Sequence, residues 1–225
     1  MADFELIITE VTEKGSFYCV AGWCPIRKRM VRPLPCGEYW SSQQLQFPKS
    51  GTYVRPGHKV RFSATDSRAT GTFPHQTENI IVDGQIRGII ENPSFSWFGD
   101  GAPDTVENLQ DAFSGYLKNE NLRNGVFKRN FVPAGSISRS LWGLSLKPSS
   151  LQFREDLNFR GKRQLRAEIN DMNGCYSLPV VAKDLLENYR SAGINAILPL
   201  LPLKGKLHIR VGLAQPFDDQ PDKCY

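Results

Sequence analysis

The chain has 225 residues, 40% hydrophobic and 23% charged, an ordinary balance for a soluble globular protein that can bury a sizeable core. No run approaches the roughly 18 apolar residues of a bilayer-spanning helix, so no membrane partner is expected. Lys and Arg number 28 against 23 Asp and Glu, and the net charge of +5 permits a nucleic-acid partner without requiring one.

The length allows one large domain or two small ones. Its first third reads as short strands. Phe4, Leu6 and Ile8 alternate within Phe4–Val11, the pattern of a half-buried strand. Phe17–Cys24 follows the Lys14-Gly15 turn, and Met30–Leu34 follows a short basic connector. Residues 35–57, rich in Pro, Gly, Ser and Gln, read as a long loop. Lys59–Ala64 alternates again, and Ile80–Ile90 reads as a hairpin turning at Asp83-Gly84.

In the middle, Asp104 with Glu107 three residues on makes a capping box, and Val106, Leu109, Phe113 and Tyr116 supply an apolar stripe. A helix from about Asp104 to Leu117 is expected, with a helical insertion over 92–135 and a boundary near residue 135. The last third returns to strands at Leu141–Phe153, Gln164–Ile169 and Cys175–Val181. A helix at Lys183–Ala192 and a strand at Lys206–Leu213 complete it. Three strands, a helix and a strand are the order of a small OB barrel lacking its closing strand, a five-stranded fold that often binds oligonucleotides. The fold class expected is therefore mostly β: two OB-like barrels in tandem, over 1–135 and 136–225.

Arg32 is the most pointed residue. On a strand it shares a face with Met30 and Leu34, and an arginine on an apolar face needs a carboxylate or an anionic ligand. The connector Arg27-Lys28-Arg29, with Trp23, Tyr39 and Trp40 nearby in sequence, supplies the charge and aromatic mixture that single-stranded nucleic acid favours. A second basic cluster, Arg160, Lys162, Arg163 and Arg166, falls between two C-terminal strands. Each cluster reads equally as a solvated charge run.

Five cysteines at 19, 24, 36, 175 and 224 show no CxxC pair and no Cys/His ladder, so no metal or other cofactor is expected. Phosphate-binding Gly-rich loops, HExxH and GxSxG are missing too, and the expectation is a non-enzyme. The acidic N-terminus lacks a basic-then-apolar signal peptide, which points to the cytoplasm.

Short motifs spread over nearly the whole chain resemble the dual OB-containing domain family of bacterial proteins. They are Cys19-Val20-Ala21-Gly22, Val31-Arg32-Pro33-Leu34 and Glu78-Asn79, then Gly161-Lys162-Arg163-Gln164-Leu165-Arg166-Ala167. Tyr176-Ser177-Leu178, Val211-Gly212-Leu213, Pro216-Phe217 and Cys224-Tyr225 extend them. Met30-Val31 departs from the family's usual Trp before Arg-Pro, and the family's strand after the last Tyr has no counterpart here. The resemblance implies two OB folds that recognise single-stranded nucleic acid or a nucleotide, as a sensor or targeting module in phage defence. It also implies Arg32, Glu78 and Asn79 as site residues. Arg32 would either offer donors to a phosphate or base, or form a buried salt bridge with Glu78 that fixes its own barrel. The other functional reading is a protein–protein adaptor with no nucleic-acid ligand.

Overall fold

The computed structural model describes residues 2–36, 38–47, 50–66, 74–91, 104–122, 127–157, 161–216 and 220–225. By contacts the chain divides into two units, Met1–Asp100 and Gly101–Tyr225, so that residues 104–135 belong with the second rather than the first.

The first unit contains β1 (Ala2–Lys14), β2 (Phe17–Cys24), β3 (Arg29–Pro35), β4 (Lys59–Asp66), β5 (Asn79–Val82) and β6 (Gly88–Glu91). Five of them close into a barrel in the order β1-β2-β3-β5-β4 and back to β1, with β6 added alongside β4. Closure depends on the length of β1. Its first half pairs with β4 (Phe4↔Phe62, Leu6↔Val60) and its second with β2 (Val11↔Val20, Thr12↔Cys19). The register shifts between Ile8 and Glu10. That bulge lets Phe4, Leu6 and Ile8 on one side of it and Val11 on the other all reach the core, although a strict alternation would turn Val11 outward. The antiparallel seams of the ring join strands adjacent in the chain or close it, but β3 and β5 run parallel, Arg32 beside Asn79 and Pro33 beside Ile80. A parallel seam has no hairpin to hold it and is slightly weaker per residue.

Gly22 marks the tightest point of the wall. A Cβ there would lie 2.4 Å from the Ile7 carbonyl oxygen, so the close approach of β1 and β2 requires glycine. The segment expected to be a long loop, 35–57, delivers Trp40, Leu45 and Val54 into the barrel core. Trp40 is fully buried, tilts against Phe62 with ring centroids 5.6 Å apart, and donates its indole N–H to the Pro33 carbonyl at 2.7 Å. Burial of such a side chain contributes about 1.5–3 kcal/mol.

The hairpin expected over Ile80–Ile90 does not form. Strands β5 and β6 both run antiparallel to β4 and lie one after the other along it. The linking residues keep that ladder going, Asp83 N–H to the Ser63 carbonyl and Arg87 N–H to the Arg61 carbonyl. An ion pair between Arg87 and Asp83 ties the bend. Asp-Gly here makes a kink within one path rather than a reversal.

The second unit begins with β7 (Thr105–Val106), α1 (Leu109–Ala112), β8 (Lys118–Leu122) and β9 (Phe127–Pro133). The expected helix over Asp104–Leu117 shrinks to α1, and the expected helical insertion contains instead the antiparallel pair β8–β9. Asp104 caps nothing: it has φ +63°, and its carboxylate meets Arg139 at 2.5 Å. Thr105-Val106 pairs with a strand, so the cap falls to Asn108, whose side chain accepts from the Asp111 N–H at 2.8 Å. Ser114 and Gly115, at φ +53° and +78°, end the helix. Residues 92–103 and 123–126 of that insertion lie outside the described residues.

After it come β10 (Leu141–Leu146), β11 (Leu151–Leu157), β12 (Arg163–Asp171), β13 (Gly174–Pro179), α2 (Lys183–Ala192), β14 (Leu207–Gly212) and β15 (Lys223–Cys224). The strand expected over Leu141–Phe153 is two strands, because a single helical turn at Pro148–Ser150 interrupts it. Among the described residues these strands form three three-stranded sheets, β14-β10-β7, β11-β12-β13 and β15-β9-β8. Leu109, Phe113, Val132, Leu144, Ile169 and Val211 belong to their shared core. Helix α2 is amphipathic but shallowly seated, with none of its residues fully buried.

Candidate functional site

The parallel seam of the barrel gathers three of the residues implied by the sequence. Arg32 receives its place from β3, Asn79 from β5, and Glu78 from the end of a single helical turn at His75–Thr77. The Arg32 N–H donates to the Glu78 carbonyl at 2.8 Å. Its Nη1 donates to Asn79 Oδ1 at 3.0 Å, and its Nη2 lies 3.6 Å from Glu78 Oε2. Arg32, Glu78 and Asn79 are 6%, 2% and 3% exposed. Met30 and Leu34, on the same face as Arg32, are also buried, yet only Val31 between them and Arg32 joins the barrel core. The guanidinium therefore stands on the outer side of the wall, opposite the apolar interior.

Burial works against the Arg32 charge, and Cys19, Glu78 and Glu10 outweigh it, leaving the guanidinium above the ordinary arginine range. Burial also pushes the Cys19 thiol up, although Arg32 pulls the other way. Cys19 is thus protonated at neutral pH and a poor nucleophile. At that pH the compensation for Arg32 comes from carboxylates. Arg32 is thus hydrogen-bonded to the amide of Asn79 and ion-paired with Glu78 beside the parallel seam.

The basic connector is placed differently. Cys24 pairs with Arg29, so Pro25–Lys28 is the tip of the β2–β3 hairpin. Lys28 and Arg29 are exposed, and Arg27 rests its guanidinium 5.6 Å from the Phe4 ring centroid. The aromatic partners expected there are only partly on offer. Trp40 is core, and Tyr39 is engaged by Lys14, whose Nζ lies 4.1 Å from the ring centroid and 2.5 Å from the hydroxyl. Trp23 is half-buried.

Of the second basic cluster, Arg160 lies outside the described residues. Lys162 and Arg163 are exposed where β12 begins. Arg166 instead ties β12 to β13, its Nε donating to Ser177 Oγ at 2.7 Å and its Nη2 to the Ser177 carbonyl at 2.5 Å. Burial lowers its pKa, with Asp156 opposing that effect. The cluster is split by the alternation of the strand.

Two polar constellations in the second unit had no signal in the sequence. Lys223 Nζ meets Glu120 Oε2 at 2.6 Å, with Tyr225 hydroxyl donating to Glu120 Oε1 at 3.3 Å and the Arg129 guanidinium 4.4 Å from the Tyr225 ring centroid. Arg139, paired with Asp104, stacks 4.4 Å over Trp142. Glu120 with Lys223 and Tyr225, and Asp104 with Arg139, are too far apart along the chain to leave a local spacing to read. Only charge type could have hinted at them.

The five cysteines are free thiols, and among the described residues no group of His, Cys, Asp and Glu could hold a metal ion. No described helix is long and apolar enough to cross a membrane. Comparison with protein-family models, curated proteins and solved structures found no match to this chain.

Proposed function

We propose that this chain recognises single-stranded nucleic acid or a nucleotide, non-catalytically, through an OB-like barrel formed by its first unit. The observation that carries the reading is the basic end of the β2–β3 hairpin, where Lys28 and Arg29 are exposed and Arg27 lies half-buried against Phe4, on a closed barrel of strand order 1-2-3-5-4-1. OB barrels bind oligonucleotides over the face of strands 2 and 3 with the 1–2 and 4–5 loops, and cationic side chains at the end of strands 2 and 3 can track phosphates leaving that face. In this reading Arg32, Glu78 and Asn79 hold the binding surface in shape and the hairpin tip touches the ligand. The second unit repeats part of the scheme: β10 pairs with β14 and β11 with β12, as the two halves of β1 pair with β4 and β2. It is proposed as a second OB-like element, with Lys162 and Arg163 as accessory contacts.

Fluorescence anisotropy with a labelled oligonucleotide tests the reading. Affinity is expected to fall steeply with salt, as released counterions require. Replacing Arg27, Lys28 and Arg29 together by Ala should lower affinity about tenfold or more at low salt while leaving the unfolding midpoint in place. No binding at about 50 mM salt, or equal binding by the triple variant, would remove the proposal.

A protein-docking role is favoured by one different observation: Leu198, Leu200 and Leu203 are 48%, 55% and 97% exposed within one short segment of the second unit. Polar replacement of these three should leave oligonucleotide binding intact, and loss of binding would tie that segment to the nucleic-acid role instead.

A further inference from the structure

One face of the β10–β14 pair in the second unit carries two buried polar atoms, Ser145 Oγ and His208 Nδ1, that no described residue satisfies. Ser145 stands directly opposite His208, and Gly143 directly opposite Arg210. Opposed residues and residues two apart share a face, so Ser145, His208 and Arg210 line one side of the pair. The other side sends Leu144, Leu146 and Val211 into the core. Ser145 Oγ and His208 Nδ1 are both buried, and neither has a hydrogen-bond partner among the described residues. Burying such a group is unfavourable if nothing occupies its bonding direction.

The glycine makes room for the third side chain. A Cβ on Gly143 would fall 2.8 Å from Arg210 Nη1 and 2.7 Å from Thr105 Oγ1, so the guanidinium lies across β10 where only glycine permits it. Asp104, whose backbone carbonyl also faces Gly143, directs its carboxylate to Arg139. A hydroxyl, an imidazole and a guanidinium on one face can all act as donors, which suits an anion with several acceptor oxygens.

We infer that Ser145, His208 and Arg210 form an oxyanion subsite for a phosphate group. It is built from the second unit alone and does not depend on the hairpin tip of the first. The phosphate could be free inorganic phosphate or part of a nucleic-acid backbone, and the chemistry of recognition is the same.

The test is a titration of the full chain with inorganic phosphate, following the His208 side-chain nitrogen resonances, with sodium chloride at matched ionic strength as control. A saturable shift with phosphate, absent with chloride and weakened about tenfold in Ser145→Ala, is the expected result. Ser145→Ala removes one small hydroxyl, and an unchanged unfolding midpoint shows that the fold is intact. Arg210→Gln should weaken the response in the same way. A short oligonucleotide that moves His208 where phosphate does not assigns the site to nucleic-acid backbone, and an equal effect of phosphate alone assigns it to the free anion. The triple replacement of Arg27, Lys28 and Arg29 should leave the His208 response to phosphate unchanged, so failure of the hairpin reading and failure of this one are separable. If neither probe moves His208, the two buried groups are bridged by water only and the inference is overturned.

Discussion

The two units handle buried polarity in opposite ways. In the first, Arg32 is set in the parallel seam of a closed barrel and is met there by an amide and a carboxylate. In the second, Ser145 and His208 face each other on a regular antiparallel pair, each with a buried atom left unpartnered among the described residues. A buried charge that has partners supports the fold around it, whereas a buried donor or acceptor without one is suited to receive a ligand or water. The difference teaches that burial alone does not identify a binding residue. What the neighbours already satisfy decides it.

The largest effect that would break this contrast concerns Arg32. Arg32→Ala should destabilise the first unit by about 3–5 kcal/mol, because Glu78 is left buried without its cation. Adding Glu78→Gln to Arg32→Met should recover part of the loss, and chemical denaturation measures both. If Arg32→Ala unfolds at the wild-type midpoint yet abolishes oligonucleotide binding, Arg32 is a ligand contact and the salt-bridge reading is lost.

The glycines sharpen the comparison next. Gly22→Ala forces a methyl group to within 2.4 Å of a backbone carbonyl, whereas at Gly212 the nearest atom is the Leu141 Cδ2 at 3.1 Å, the end of a flexible side chain. Overpacking costs of about 1–3 kcal/mol are expected at Gly22, with a clearly smaller cost at Gly212. Equal midpoint shifts would show that the barrel wall is no tighter than the open sheet. At about 1 kcal/mol, loss of the α1 cap in Asn108→Ala should be felt in the second unit alone. Hydrogen exchange at the α1 amides reads it out.

The smallest effect is a pH dependence confined to the first unit. Burial, with the charge of Arg55 adding to it, lowers the pKa of His58, whose Nδ1 accepts the Arg55 N–H at 3.1 Å. The unfolded chain then binds more protons than the folded one below about pH 6.5, so stability is full above that value and declines as pH falls towards the lowered folded pKa. His58→Asn keeps an acceptor and removes the titration. Its unfolding midpoint should change less between neutral and mildly acidic pH than that of the wild type, and an identical slope would contradict the assignment.

Much of the first unit was legible in the chain. Alternating Phe4, Leu6 and Ile8 marked β1, and Phe17–Cys24 marked β2 to the residue. Arg32 among apolar neighbours signalled a partner, and Glu78 with Asn79 supplied it. The absence of a reversal at Asp83-Gly84 shows the limit of a turn signal, since a kink and a reversal use the same residues and only β4 separates them. In the middle, Asp104 and Glu107 imitated a capping box. Arg139, far along the chain, took the carboxylate that the cap would have used.

Local pattern by itself determined the strands of the barrel, helix α2, the exposed basic hairpin tip and the demand of Arg32 for a counter-charge. These depend on period, breaker residues and charge, all of which act over a few neighbours. Tertiary structure alone decided that β3 and β5 meet in parallel, that Trp40 leaves its polar loop for the core, that Arg166 is spent on Ser177, and that Ser145 meets His208. Each of those outcomes depends on chain segments brought together by folding. Their energies come from burial and from hydrogen bonds that exist only once the sheets have closed.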